Sequence, residues 1–165
     1  MENKKIRNAT GCKLHNITFK SKLEKTVYLT LLEHGFNPQY EPKTIVLWEG
    51  FNPITPFYDK ESDTQHQKRV EAGDTNKNRM LTEKKGKVIG LRYTPDFYLS
   101  YNGLDVWIES KGMENDVYYI KKKLFRFYLD KVLAETGQHS IFFEIYTKKQ
   151  LLQAIDIIKH YENSD

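Results

Sequence analysis

Apolar residues recur at helical spacing after Ser21, where Leu23, Val27 and Leu31 share one stripe and Gly35 follows as a stop, so a helix is expected over residues 22–34. A longer helical stretch covers 116–135, with Val117, Ile120, Leu124, Tyr128 and Val132 on its apolar side and Gly137 just past its end. A last one spans 148–161 and turns Leu151, Leu152, Ile155 and Ile158 inward. Shorter apolar runs at 44–48, 88–93, 97–99, 106–111 and 140–146 read as strands. Asn102-Gly103 is a strong hairpin signal that folds the run at 97–99 back on the one that begins at Val106. Val106 and Ile108 on one face and Trp107 on the other mark a strand buried on both sides. The strand that follows the long helix is expected to join its sheet parallel to a neighbour through that helical crossover. The predicted fold class is α/β, a central mixed sheet flanked by helices.

Two stretches carry no such pattern. Residues 1–19 are polar and basic, with Lys4, Lys5, Arg7 and Lys13, and read as a flexible arm. Residues 52–87 lose periodicity, and 61–87 are dense in charged and amide side chains. A structureless loop of that length is unusual inside a domain, so a functional insertion or a partly helical segment is expected, with 66–72 as the candidate helix. The remainder, 20–165, is read as one domain around the 61–87 insertion.

Composition narrows the classes. An apolar fraction of 39% with 13% aromatics fits a packed globule rather than a disordered chain. Cys12 is the sole cysteine, which excludes an intrachain disulfide and a multi-thiolate zinc site. His15, His34, His66, His139 and His160 show no paired metal spacing. No run approaches the ~20 apolar residues that span a bilayer, so no membrane partner and a cytoplasmic location are expected. A net charge of +4 and a pI near 8.9 favour a polyanionic partner mildly.

The chemistry concentrates on the hairpin. Glu109 and Lys111 lie two apart on a strand and therefore project together. Asp96 stands just before the partner run, and the hairpin brings it beside Glu109. Two converging carboxylates repel each other unless a cation sits between them. Oxygen-only ligands suit magnesium or manganese, and magnesium takes one or two protein carboxylates while keeping several waters. Asp96, Glu109 and the main-chain carbonyl of Ser110 make a plausible half-shell. An ion there would activate a water, with Lys111 orienting or deprotonating it or neutralising charge on phosphate oxygens. The plainer reading takes Glu109 and Lys111 as exposed strand charges and Pro95-Asp96 as a turn. The doubly buried character of the strand argues against it.

Tyr93-Thr94-Pro95-Asp96-Phe97 followed by Glu109-Ser110-Lys111-Gly112 resembles the PD-(D/E)xK nuclease superfamily. With Ser21-Lys22-Leu23-Glu24 opening the first helix, the chain more specifically resembles the phage endonuclease I type of Holliday-junction resolvase, over roughly residues 21–146 with one interruption. The resemblance implies a restriction-endonuclease-like core and a magnesium-dependent DNA endonuclease, with manganese able to substitute, acting on four-way or other branched DNA as a homodimer. It assigns catalysis to Glu24, Asp96, Glu109 and Lys111, and the metal to Asp96, Glu109, Ser110 and Glu24. Locally, Ser21-x-x-Glu24 is also a capping box, and the two roles do not exclude each other. Lys121, Lys122, Lys123 and Arg126 on the long helix are either a phosphate grip beside the scissile bond or a solvated face. A sequence- or end-directed nuclease on the same core, and a DNA-binding module that does not cut, are the alternatives.

Overall fold

The computed structural model describes residues 11–14, 16–112 and 116–161. They form β1 (Cys12–Leu14), β2 (Ile17–Phe19), α1 (Lys22–Glu33), β3 (Gln39–Tyr40), β4 (Ile45–Trp48), β5 (Tyr58–Lys60), α2 (Asp63–Glu71), β6 (Leu81–Glu83), β7 (Leu91–Tyr93), β8 (Phe97–Tyr101), β9 (Leu104–Ser110), α3 (Asp116–Thr136), β10 (Ser140–Ile145) and α4 (Lys148–Lys159). The fold is mixed α/β. Its described residues divide into two compact units, one lying within 11–47 and 92–161 and the other made of 48–91.

In the first unit, β8 and β9 form the expected hairpin, with Asn102 and Gly103 both at positive φ, as a two-residue turn of this kind requires. β3 extends it on the β8 side, antiparallel. On the other side β10 pairs parallel with β9, and α3 is the crossover between them, as a parallel pair requires. β9 is buried from Val106 through Glu109 because helices cover both faces of the sheet. On one face Val106 and Ile108 join Phe97, Leu99, Val27 and Leu31 with Leu151, Ile155 and Ile158 in the larger core. On the other, Trp107 packs against Phe125 and shares a smaller aromatic core with Tyr93, Tyr118 and Leu129.

Two sequence expectations are corrected here. The buried residues of α3 are Tyr118, Phe125 and Leu129, whereas Val117 and Ile120 are exposed, so the apolar stripe is rotated from the one its spacing suggested. Aromatic and aliphatic residues lie on several sides of this helix, and contact with Trp107 and Tyr93 decides which side goes in. Residues 12–14 and 16–19 are not part of a flexible arm: β1 and β2 pair antiparallel, and Phe19 is fully buried in the larger core with Leu14 and Ile17 packed against it. Lys4, Lys5 and Arg7 lie outside the described residues, as does His15.

The second unit, 48–91, is a ribbon with a helix at its far end. An isolated bridge joins Phe51 to Val88, and β5 pairs antiparallel with β6. A Cβ on Gly50 would lie 2.6 Å from the Val88 carbonyl oxygen and 2.7 Å from the Gly90 nitrogen, so the two backbones meet where only glycine fits. α2 starts three residues earlier than its sequence pattern suggested, because Ser62 and Gln65 close a reciprocal capping box. Among the described residues no helix is long and apolar enough to cross a membrane.

Candidate active site

The charged cluster forms where β8 and β9 reach the same end of the sheet. The register pairs Phe97 with Ile108, so one step beyond it Asp96 falls opposite Glu109. Glu109 follows the direction of Trp107 on the strand and is 4% exposed, an expensive position for a carboxylate unless it is hydrogen-bonded. Its partners are the Tyr93 hydroxyl, which donates to Oε2 at 2.6 Å, and the Lys111 ammonium, 2.5 Å from Oε1. Glu109 and Lys111 therefore project together as their spacing predicts.

Asp96 accepts two hydrogen bonds on Oδ2, from the Ser110 amide at 2.8 Å and the Ser110 hydroxyl at 2.7 Å. Despite these, its pKa is pushed up to about 7. Burial is the main cause, followed by the charge of Glu109, with a smaller contribution from Glu24. Burial and the same Glu109 charge drive the Tyr93 phenol well above its ordinary range, so it is a fixed donor.

Glu24 reaches this neighbourhood from the first turn of α1. Ser21 caps the helix by accepting the Glu24 amide at 3.1 Å, but the Glu24 carboxylate does not complete a capping box. Its Oε2 instead accepts the Lys20 amide at 2.8 Å and the Tyr40 hydroxyl at 2.6 Å. The Lys20 ammonium, paired with Glu41, is held near enough to Glu24 and Asp96 for their charges to raise its pKa, after the larger effect of Glu41 itself.

Lys111 rests on an aromatic seat. Its ammonium lies 3.6 Å from the centre of the Tyr118 ring, within cation–π range. The Tyr118 hydroxyl donates to Glu144 at 2.5 Å, and the other oxygen of Glu144 accepts from Lys122 at 2.9 Å. Lys122 is thus paired with a carboxylate of β10. Lys121, Lys122 and Lys123 do not share a face, since successive helix positions turn by about 100°. Lys122 and Arg126 do, along a cleft of about 400 Å³ that Glu144 also lines. Lys123 and Arg126 are exposed.

Asp96 and Glu109 suit a hard divalent cation: two facing carboxylates, one of them unwilling to ionise alone, with Asp96 Oδ1 making no hydrogen bond among the described residues. Glu24 is not gathered with them into a ready ligand set. Among the described residues no three His, Cys, Asp or Glu side chains stand close enough to hold one ion. The spacing anticipated that Asp96, Glu109 and Lys111 come together; Ser110, expected to present its main-chain carbonyl, meets Asp96 through its amide and hydroxyl, and Tyr40, Tyr93 and Tyr118 were not anticipated. The available signal was that a tyrosine in an apolar element needs a partner for its hydroxyl. No protein-family model, curated protein or solved structure matches the chain.

Proposed function

We propose that this chain is a magnesium-dependent DNA endonuclease that hydrolyses phosphodiester bonds at branched DNA, on a restriction-endonuclease-like core. The observation that carries the reading is the opposition of Asp96 and Glu109 at the end of a buried hairpin, with Lys111 on Glu109. Asp96 and Glu109 would hold the ion, which supplies Lewis acidity for water activation and charge neutralisation at the phosphate. Ser110 fixes the Asp96 carboxylate through two donors, so its orientation is set before substrate arrives. Tyr93 does the same for Glu109. Lys111, paired with Glu109, would orient or deprotonate the attacking water, or meet charge on the phosphate oxygens. Paired cuts across a junction need two such sites, so a homodimer belongs to the proposal.

The test offers the purified protein an immobile four-way junction and a linear duplex of the same arm sequences, with magnesium and then manganese. Symmetric nicks near the branch are expected on the junction alone. Lys111→Ala is expected to slow them by about 10²–10³-fold while junction binding persists. Equal cutting of both substrates would remove junction specificity. No cutting with either metal would leave a binding module.

Tyr118 supplies a second expectation. Tyr118→Leu removes the seat under Lys111 and should lower the cleavage rate about 10-fold, the scale of one cation–π contact. Tyr118→Phe keeps the ring and should stay within about 3-fold of wild type. Single-turnover rates at saturating protein, on variants checked by thermal melting, separate this from altered binding. Equal loss in both variants would place the effect in the hydroxyl and Glu144 instead.

A further inference from the structure

Residues 48–91 have the usual distribution of side chains turned inside out. Among the described residues, none of the buried apolar side chains belongs to this unit, and its only buried side chain is that of Glu61. Glu61 is held by both Nε and Nη2 of Arg69, by His66 Nδ1 at 2.8 Å and by the Met80 amide. The apolar groups are outside. Ile54 is 98% exposed, Ile89 84%, Leu81 73% and Phe57 60%, and among the described residues Phe127 is the only other large apolar side chain at or above that level. Single exposed apolar residues need no explanation, but four within 44 residues around a charged centre do.

The surroundings of Ile54 say what would cover it. Pro53 and Pro56 flank it and restrict the loop that presents it. That loop forms one wall of a cleft of about 310 Å³ whose other wall, 83–87, carries Lys84, Lys85 and Lys87 against the single carboxylate of Glu83. Glu83 pairs with Lys85, whereas Lys84 and Lys87 make no ion pair among the described residues. A second copy of the chain would set like charges against each other here. A polyanion with apolar surface between its charges fits both features, and nucleic acid presents phosphates beside base faces.

We propose that residues 48–91 are a nucleic-acid-binding appendage, in which Lys84 and Lys87 grip phosphates, Lys85 joins them on leaving its exposed pair with Glu83, and Ile54 wedges against an unstacked base step. The inference rests on the nuclease reading for its choice of polyanion and deepens it, since unstacked steps are cheapest at a branch. Phosphate contacts supply affinity without sequence preference, and an inserted aliphatic side chain supplies preference for a deformable step.

The test uses the Asp96→Asn chain, so that binding is measured without cutting, on the four-way junction and on linear duplex, each with 2-aminopurine at the central step. Replacing Lys84, Lys85 and Lys87 together by Ala should reduce the slope of log affinity against log salt by about 2–3. Ile54→Ser should lower the preference for junction over duplex about 10-fold and abolish the 2-aminopurine brightening that the parent produces on the junction. These side chains make no core contacts, and melting of each variant verifies that folding is intact. Unchanged slope, preference and fluorescence, while wild type still cuts junctions, would overturn this inference alone. Failure of the parent to bind either nucleic acid would overturn it together with the nuclease reading. Sedimentation of the parent with phosphatidylserine vesicles, lost in the lysine variant while DNA binding is unchanged, would reassign the surface to an anionic bilayer.

Discussion

Asp96→Asn is expected to give a protein that melts at a higher temperature than wild type at pH 8 without metal, and that no longer cleaves DNA. Both effects have one origin. The Asp96 carboxyl is pushed from an ordinary 3.8 up to about 7 in the folded chain, first by burial and then by Glu109. As pH rises through that window the unfolded chain releases this proton and the folded chain does not, so stability falls with pH, by at most ~4 kcal/mol once above it. Asn carries no charge and still offers an oxygen to the Ser110 amide and hydroxyl. The variant should therefore melt several degrees higher at pH 8 in the presence of a chelator, with the gap closing by about pH 4. Magnesium should raise the melting temperature of wild type but not of the variant. Cleavage should drop by roughly 10³-fold or more, because one of the two carboxylates proposed to hold the metal is lost in a reaction that is extremely slow unaided. A variant that melts lower than wild type at pH 8 would refute the crowding of these carboxylates, and one that cleaves normally would refute the role of Asp96.

Glu61→Ala is expected to disorder residues 48–91 while leaving the larger unit intact. That unit has no apolar core to fall back on, and the Glu61 carboxylate gathers α2, the Arg69 side chain and the strand beginning at Leu81 around itself. Arg69 would keep Asp74 and the carbonyls of Asn76 and Asn78, all within the same segment, and lose its link to position 61, two residues before α2. Limited trypsin digestion should then cut between Lys68 and Lys87 at protease levels that spare wild type, without change in the aromatic signals of Trp107 and its neighbours. Acid should act in the same direction. Arg69, and after it His66, hold the Glu61 carboxyl at about 2, below its ordinary 4.5. The stabilisation is therefore complete above about pH 4.5 and is lost as pH falls towards 2. Asp63 and Asp74 are lowered too, through Arg79 and through Asn76 with Arg69, and they reinforce the trend. Amide spectra of the segment followed between pH 5 and 2 would show it. Persistent order at pH 2.5 would count against a charge-centred unit.

What could be read from the chain followed the range of each interaction. The Asn102-Gly103 turn, the caps of the helices and the alternation through Val106, Trp107 and Ile108 are local, and they placed Asp96 opposite Glu109. The seat of Lys111 on Tyr118, the Tyr93 bond to Glu109 and the Tyr40 bond to Glu24 join different elements, and no spacing announces them. Glu24 shows the same limit from the other side: its motif is a capping box, yet a tyrosine 16 positions away takes the carboxylate. Lys122 looked like one of four equivalent cations, and Glu144 on β10 singles it out. The face that α3 buries was hidden because two apolar stripes compete along it, and only the facing aromatic cluster selects one.

The approach of Gly50 to Gly90 fixes where the smaller unit begins and ends. Its entry and exit strands touch there, backbone to backbone, with no space for even a methyl group. Everything between those glycines is consequently a cassette with adjoining ends: its length and contents can change, by evolution or by design, without the two ends having to move apart. Changes can thus accumulate in one exchangeable segment while the hairpin of β8 and β9 is left as it is.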